Sequence, residues 1–367
     1  MKKFLKNFPI ETYVLLLPSL IFLLVMSFYI FFRENGYSEI FFHGHFLSIV
    51  ISTDNLFPII FIIICLNIIE ILVMLRNQAK FEDVLHFLKS SFFVFGIFYI
   101  SGLALTVLTQ LVLNVANPTR TIASSIMFTK WDYTIFRFYP WLSLHSLITS
   151  HLMEMFIYES YLLTVVMMLV LLAILAFKNI FLFRKFLLSY FIAIVLATPF
   201  WAAFPALAPD MMYRLNIFNI PVPTQIADNL SSIHFSKTSQ IVFSALEKEW
   251  LDNSGQSLPI TTFPSMHAAW GIIIAVIGTE LWTPLAIVLI PWFLLELTGT
   301  IFTLEHYAVD TIFGVLLGFL ALYLATCLLR FDKKHSFNKK NLFVSLHQLQ
   351  MSLSSFLSWI KSKAHIN

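Results

Sequence analysis

The sequence predicts an all-α protein: a polytopic transmembrane helix bundle of about eight spans, with a six-helix core. Three observations predict it. Of 367 residues, 59% are hydrophobic and only 12% charged, where an ordinary soluble domain carries about a quarter charged; the mean hydropathy is +0.83. The apolar residues gather into runs of the roughly 20 residues a helix needs to cross a bilayer. Finally, sixteen of the 23 Lys and Arg fall in the N-terminal segment, alternate connections and the C-terminal tail, the bias that orients membrane helices. This composition excludes a disordered chain, which would be poor in hydrophobic residues. Cys65 and Cys327 both lie inside apolar runs, where thiols pack as small apolar groups, so no disulfide framework is implied.

Taken in order, the first run, 13–32, follows Lys2, Lys3 and Lys6 and lacks a small-residue cleavage site, so it reads as a retained signal anchor. Runs 56–75 and 91–115 follow. The stretch 138–158 is apolar but broken by Pro140, His145, His151 and Glu154, which makes it an interfacial or re-entrant candidate. The remaining spans are expected at 160–177, 186–204, 265–280, 284–303 and 308–330, the run at 265–280 being short. With the N-terminus in the cytoplasm, the basic residues then leave three longer, base-poor loops outside, 33–55, 116–159 and 205–264, and both termini inside. Three divisions follow: residues 1–90 with two N-terminal helices and a cytoplasmic loop, 91–330 as the core, and 331–367 as a basic amphipathic tail suited to an anionic leaflet.

Two stretches combine titratable residues with the start of a span. In "TLEHYAVDTIFG", His306 and Asp310 are four apart and share one helix face. A carboxylate so placed can fix the imidazole tautomer and leave the other ring nitrogen as base or nucleophile. In "TTFPSMHAAWG", Ser265 suits an N-cap and His267 opens the span, at a helix start, which favours anions. One inward and one outward pass separate the two histidines, so both are expected at the outer end of the bundle. A third stretch, "FPALAPDMMYRLN", breaks a helix at Pro205 and Pro209 and then supplies Arg214, whose planar fork suits a phosphate. Each residue also has a plainer reading: His267 as a helix-boundary histidine, Arg214 as a snorkelling interface residue. Glu296 lies inside a span one turn before Thr300, where it either packs against a helix neighbour or joins the chemistry. His43 with His45, and His145, His151 and Glu154, have no spacing that forces a metal site.

"FPSMHAAW" followed by "EHYAVD" about forty residues on, after a proline-and-arginine exit loop, resembles the type 2 phosphatidic acid phosphatase superfamily. The likeness is nearest to the branch containing inositol phosphorylceramide synthases, the inositolphosphotransferases, and it spans roughly 91–330. It implies a metal-independent, two-step displacement on phosphorus without a cofactor. His306 would attack to give a phosphohistidine, Asp310 would orient it, and His267 would protonate the leaving oxygen. Arg214, Ser265 and Thr300 would bind substrate. The partners implied are a phospholipid or polyprenyl phosphate and a lipid hydroxyl acceptor, with no nucleic acid. A bacterial inner membrane, with the site facing the periplasm or exterior, is the expected setting.

The departures from that pattern bear on substrate. Where the phosphatases carry a lysine seven residues ahead of the first-motif arginine this chain has Leu207; where they carry serine and arginine it has Gly299 and Thr300; and Met266 replaces a glycine. A phosphomonoester carries up to two charges and needs several cations in a desolvated pocket, whereas a phosphodiester carries one. The expectation is therefore phospho-head-group transfer from a phosphodiester lipid. The alternatives are a phosphatase acting on a lipid phosphomonoester or polyprenyl pyrophosphate, and a transporter relaying protons through Glu296, Asp310 and the histidines.

Overall fold

A computed structural model of the chain describes residues 118–233 and 262–335, with the single residues 14, 68, 71 and 240. The expected spans at 13–32, 56–75 and 91–115 and most of the tail lie outside the described residues. Every regular element among the described residues is helical, and none is a strand. In chain order they are α1 Pro118–Phe136, α2 Pro140–Leu147, α3 His151–Leu162, α4 Thr164–Lys178, α5 Ile180–Ala203, a π-turn Asp210–Arg214, α6 Thr224–Ser232, α7 Met266–Leu281, α8 Ala286–Phe302 and α9 Ala308–His335.

Among the described residues, three helical segments are long and apolar enough to cross a membrane: Phe181–Ala203, Thr283–Phe302 and Ala308–Lys333. A fourth crossing is available if α3 and the start of α4, bent by 50° at Leu163, form one broken span. The bent pair fits either a broken span or a re-entrant loop, the latter being the expectation for 138–158, and it moves the start expected for 160–177. Helix already runs from His151, nine residues before the expected start, and His151–Leu162 becomes the first limb of the bent pair. Glu154 is tolerated there because it is buried against protein, not lipid. The stretch 186–204 likewise begins earlier, at Ile180.

The chain divides into two compact units, Leu108–Met167 with Ser189–Tyr323, and Met1–Val107 with Met168–Leu188 and Leu324–Asn367. Within the latter, Arg184 and Asp332 form an ion pair at 2.7 Å. The former holds every candidate site residue. Its core is aromatic: Phe263 stacks on Phe128 at 4.4 Å between ring centroids and meets Trp131, Phe200, Phe204 and Phe313, while Trp141 stacks on Tyr213 at 5.6 Å.

Local chemistry starts and stops the helices around this core. Ser265 caps α7 by accepting from the Ala268 N–H at 3.4 Å, and Pro284 follows the helix end at Leu281. Packing of α7 on α9 depends on Gly314 and Gly318. A Cβ on Gly314 would stand 2.2 Å from the Ser265 carbonyl oxygen, and one on Gly318 2.7 Å from that of Ala269. The glycines let the two backbones touch where α7 begins.

Candidate active site

The segment joining α8 to α9 is five residues long and tightly wound. Leu304 sits at φ +59°, a region a branched, non-glycine residue rarely adopts and holds only when its surroundings fix it. The surroundings here do so: the Leu304 side chain is fully buried, and its carbonyl accepts from the Asp210 N–H at 3.1 Å. Two residues on, the His306 N–H donates to the Thr300 carbonyl at 3.1 Å. The strained turn is thereby pinned by the exit loop on one side and by α8 on the other, and it delivers His306 to the bundle interior.

The start of α9 is capped from a distance. Asp132, on α1 and fully buried, accepts the Ala308 N–H at 3.0 Å and the Val309 N–H at 2.9 Å. These are two of the orphan donors every helix start presents, and a carboxylate there also faces the positive end of the helix dipole. Burial pushes the Asp132 carboxyl up to about 7; its two backbone bonds oppose this, and the neighbouring Asp310 adds to it. The folded state therefore binds a proton here that the unfolded chain has released once pH passes the ordinary aspartate value of 3.8. The contribution of Asp132 to stability is greatest in acid and falls as pH rises through about 7. In thermal unfolding, wild type should lose stability relative to Asp132→Asn over that window, and parallel pH curves for the two proteins would contradict the assignment.

His306 is oriented chiefly by backbone. Its Nδ1–H donates to the Thr262 carbonyl at 3.1 Å, so the ring presents Nε2 with a lone pair. Asp310 is the second neighbour of Nδ1, its Oδ2 lying 3.8 Å away, beyond a hydrogen bond. That Oδ2 instead accepts the Tyr307 N–H at 3.0 Å, and the buried Oδ1 has no hydrogen-bond partner among the described residues. Burial holds the His306 imidazole down to about 4, against the Thr262 bond, so the ring is neutral at pH 7.

The structure brings His267 to His306. Their ring centroids are 6.0 Å apart at 65°, and His267 also lies 4.5 Å from the ring of Tyr161 and 6.2 Å from that of Trp270. The other three expected residues are placed differently. Ser265 is fully buried as the α7 cap, with its N–H donated to the Asp310 carbonyl at 3.0 Å. Thr300 is fully buried, donating to the Leu297 carbonyl and bonded to the Thr311 hydroxyl at 3.0 Å. Arg214 grips Asp210 through Nε and Nη2 in a forked ion pair. The exit loop carrying that pair is tied down by the Leu207 N–H to Ser125 Oγ at 3.0 Å and by the Thr262 hydroxyl to the Ala206 carbonyl at 3.1 Å.

Asp132 and Thr262 were not singled out from sequence. Asp132 acts across 176 residues of chain, and Thr262 acts through a carbonyl that any residue would supply.

Helices apolar enough to span a membrane define the class, an integral membrane protein, and two histidines and an aspartate gather beside the start of one of them. The chain belongs to the PAP2 superfamily, whose family model matches residues 128–324, more than half of its length. Membership points to phosphatase or phosphotransferase chemistry on a lipid or other phosphate ester. No curated protein and no solved structure matches the chain.

Proposed function

We propose that the protein transfers a phospho-head group from a phosphodiester lipid to a lipid hydroxyl, through a phosphohistidine on His306. The observation that carries this reading is the His306 ring: Nδ1 is tied to the Thr262 carbonyl, and Nε2 is left as nucleophile 6.0 Å, centroid to centroid, from a second imidazole. In the first step the Nε2 lone pair attacks phosphorus, the ester P–O bond breaks, and the leaving oxygen takes a proton from His267. In the second the acceptor hydroxyl gives its proton back to His267, its oxygen bonds to phosphorus, and the P–N bond breaks. Asp310 stands where it can stabilise the positive charge that His306 gains.

The placement of Arg214 supports a phosphodiester over a phosphomonoester. Its charge is already offset by the fully buried Asp210, so it contributes a directional donor and little net positive charge. With Leu207, Gly299 and Thr300 at the positions where the wider family carries cations or serine, a singly charged phosphate is the better match. A site of this charge favours the inositolphosphotransferase-like branch of the superfamily. The catalytic core remains 91–330, and the substrate reaches it from the outer leaflet.

The test supplies purified protein with radiolabelled phosphatidylinositol or phosphatidic acid, with and without ceramide or diacylglycerol. Label moving from phosphatidylinositol to the acceptor lipid is expected. Free phosphate released from phosphatidic acid without transfer would replace this reading with a phosphatase, and absence of turnover on both would sink it.

A further inference from the structure

The two histidines are not equally supported. His306 has the Thr262 carbonyl and, further off, Asp310 beside its Nδ1. Around His267 the contacts are aromatic, from Tyr161, Trp270 and His306, and among the described residues no hydrogen bond reaches its ring nitrogens. A proton-donating imidazole needs its second nitrogen held by an acceptor, because that bond decides which nitrogen faces the substrate.

One carboxyl nearby has the opposite problem. Glu296, on α8, is fully buried, and among the described residues neither of its oxygens has a hydrogen-bond partner. Buried polar groups are normally paired, and an ionisable side chain inside a membrane span is expensive to keep. Its neighbour across the helix interface is Gly271 of α7: a Cβ there would stand 2.6 Å from Glu296 Oε2 and 2.9 Å from the Phe293 ring. Gly271 lies four residues beyond His267, on the same face of α7 and one turn deeper. The glycine leaves bare backbone where any other side chain would separate the carboxyl from the turn that carries the histidine.

We propose that Glu296 is the positioning partner of His267, reaching across Gly271 to accept a hydrogen bond from the imidazole nitrogen that does not face the substrate. Each histidine then has its own carboxyl: Asp310 from one turn along the start of α9, and Glu296 from the adjacent helix. This rests on the reading of His267 as proton donor, and the experiment separates the two.

The full chain is purified in detergent as wild type, His267→Ala, Glu296→Gln, Glu296→Met, Gly271→Ala and the Gly271→Ala/Glu296→Gln pair. Turnover is measured on radiolabelled phosphatidylinositol and phosphatidic acid, alongside thermal unfolding and the nitrogen chemical shifts of labelled histidine, with the His267 signal assigned by its loss in His267→Ala. Both Glu296 variants should lower kcat by roughly ten- to a hundredfold with KM changed little, the range for residues that orient a reacting group. Glu296→Met should unfold near the wild-type temperature, since it trades a buried carboxyl and its one hydrogen bond for apolar packing of similar volume. Gly271→Ala should lower kcat similarly, the pair should lose no more than either single change, and Glu296→Gln should shift the His267 ring signals. Unmoved His267 signals with wild-type kcat in both Glu296 variants would overturn the pairing and leave the proposed function standing. A kcat loss matched by loss of thermal stability in Glu296→Met would overturn it too, by assigning Glu296 to packing. Wild-type turnover in His267→Ala would overturn the proposed function itself.

Discussion

His306→Ala should lower turnover by roughly ten-thousandfold or more, the scale seen when a nucleophile that acts as a unit with its neighbours is removed. The loss should appear in kcat, because alanine leaves the substrate-facing helices and Arg214 in place. Glu305→Gln, next in sequence, should stay near wild type, which separates loss of the nucleophile from general disturbance of the turn. The pH dependence is also set by geometry. Because burial holds His306 down to about 4, the nucleophile stays neutral as pH falls from 7 and is lost only as pH drops through about 4. Titration of the His306 ring itself near the ordinary histidine value of 6.5, read from its nitrogen chemical shifts, would contradict this.

Gly314→Ala is expected to have the second-largest effect, although it touches no candidate catalytic group. The added Cβ would stand 2.2 Å from the Ser265 carbonyl oxygen and 3.0 Å from the Ala268 Cβ, and the carbonyl cannot move as a flexible side chain would. The start of α9 must therefore draw away from the start of α7, the two elements that place Asp310 and His267. Overpacking of this kind costs about 1–3 kcal/mol of stability, and a displacement near 1 Å at reacting groups can cost about a hundredfold in rate. Gly318→Ala serves as the comparison. Its Cβ would meet Ile272 Cγ2 at 2.3 Å and the Ala269 carbonyl oxygen at 2.7 Å, one turn deeper. It should lower the unfolding temperature comparably and turnover less. Equal turnover losses for the two would show that the site does not depend on the local α7–α9 approach.

The two histidines and Asp310 were legible because their signals are local: a polar residue at the brink of an apolar run, and a four-residue spacing on one helix face. The parity of passes between them correctly placed His267 and His306 together. What escaped was long-range or carried by backbone. Nothing near "KWDYTIF" indicates that Asp132 caps a helix beginning at Ala308. The dominant orienting acceptor for His306 is the Thr262 carbonyl, where the four-residue spacing pointed to Asp310. Ser265 and Thr300 were expected to bind substrate, and sequence cannot show that both are sealed in the interior by bonds to their own and neighbouring helices. The bend at Leu163 also left no trace in composition, since apolar residues flank it on both sides. The helices α5, α7, α8 and α9 could be read because length and hydropathy suffice for them, while α6 fell inside the expected outer loop 205–264 and helix ends shifted because caps and packing decide them.

The central claim is that phosphorus passes through His306, and acid-sensitive trapping tests it most directly. Protein is mixed with phosphatidylinositol carrying radiophosphorus, quenched in denaturant within the first turnover, and divided between acid and alkali. The account predicts label bound to the wild-type chain that survives alkali, is released by acid, maps to the peptide containing His306, and is absent from His306→Ala. Turnover without chain-bound label in wild type, or label retained in His306→Ala, would contradict it.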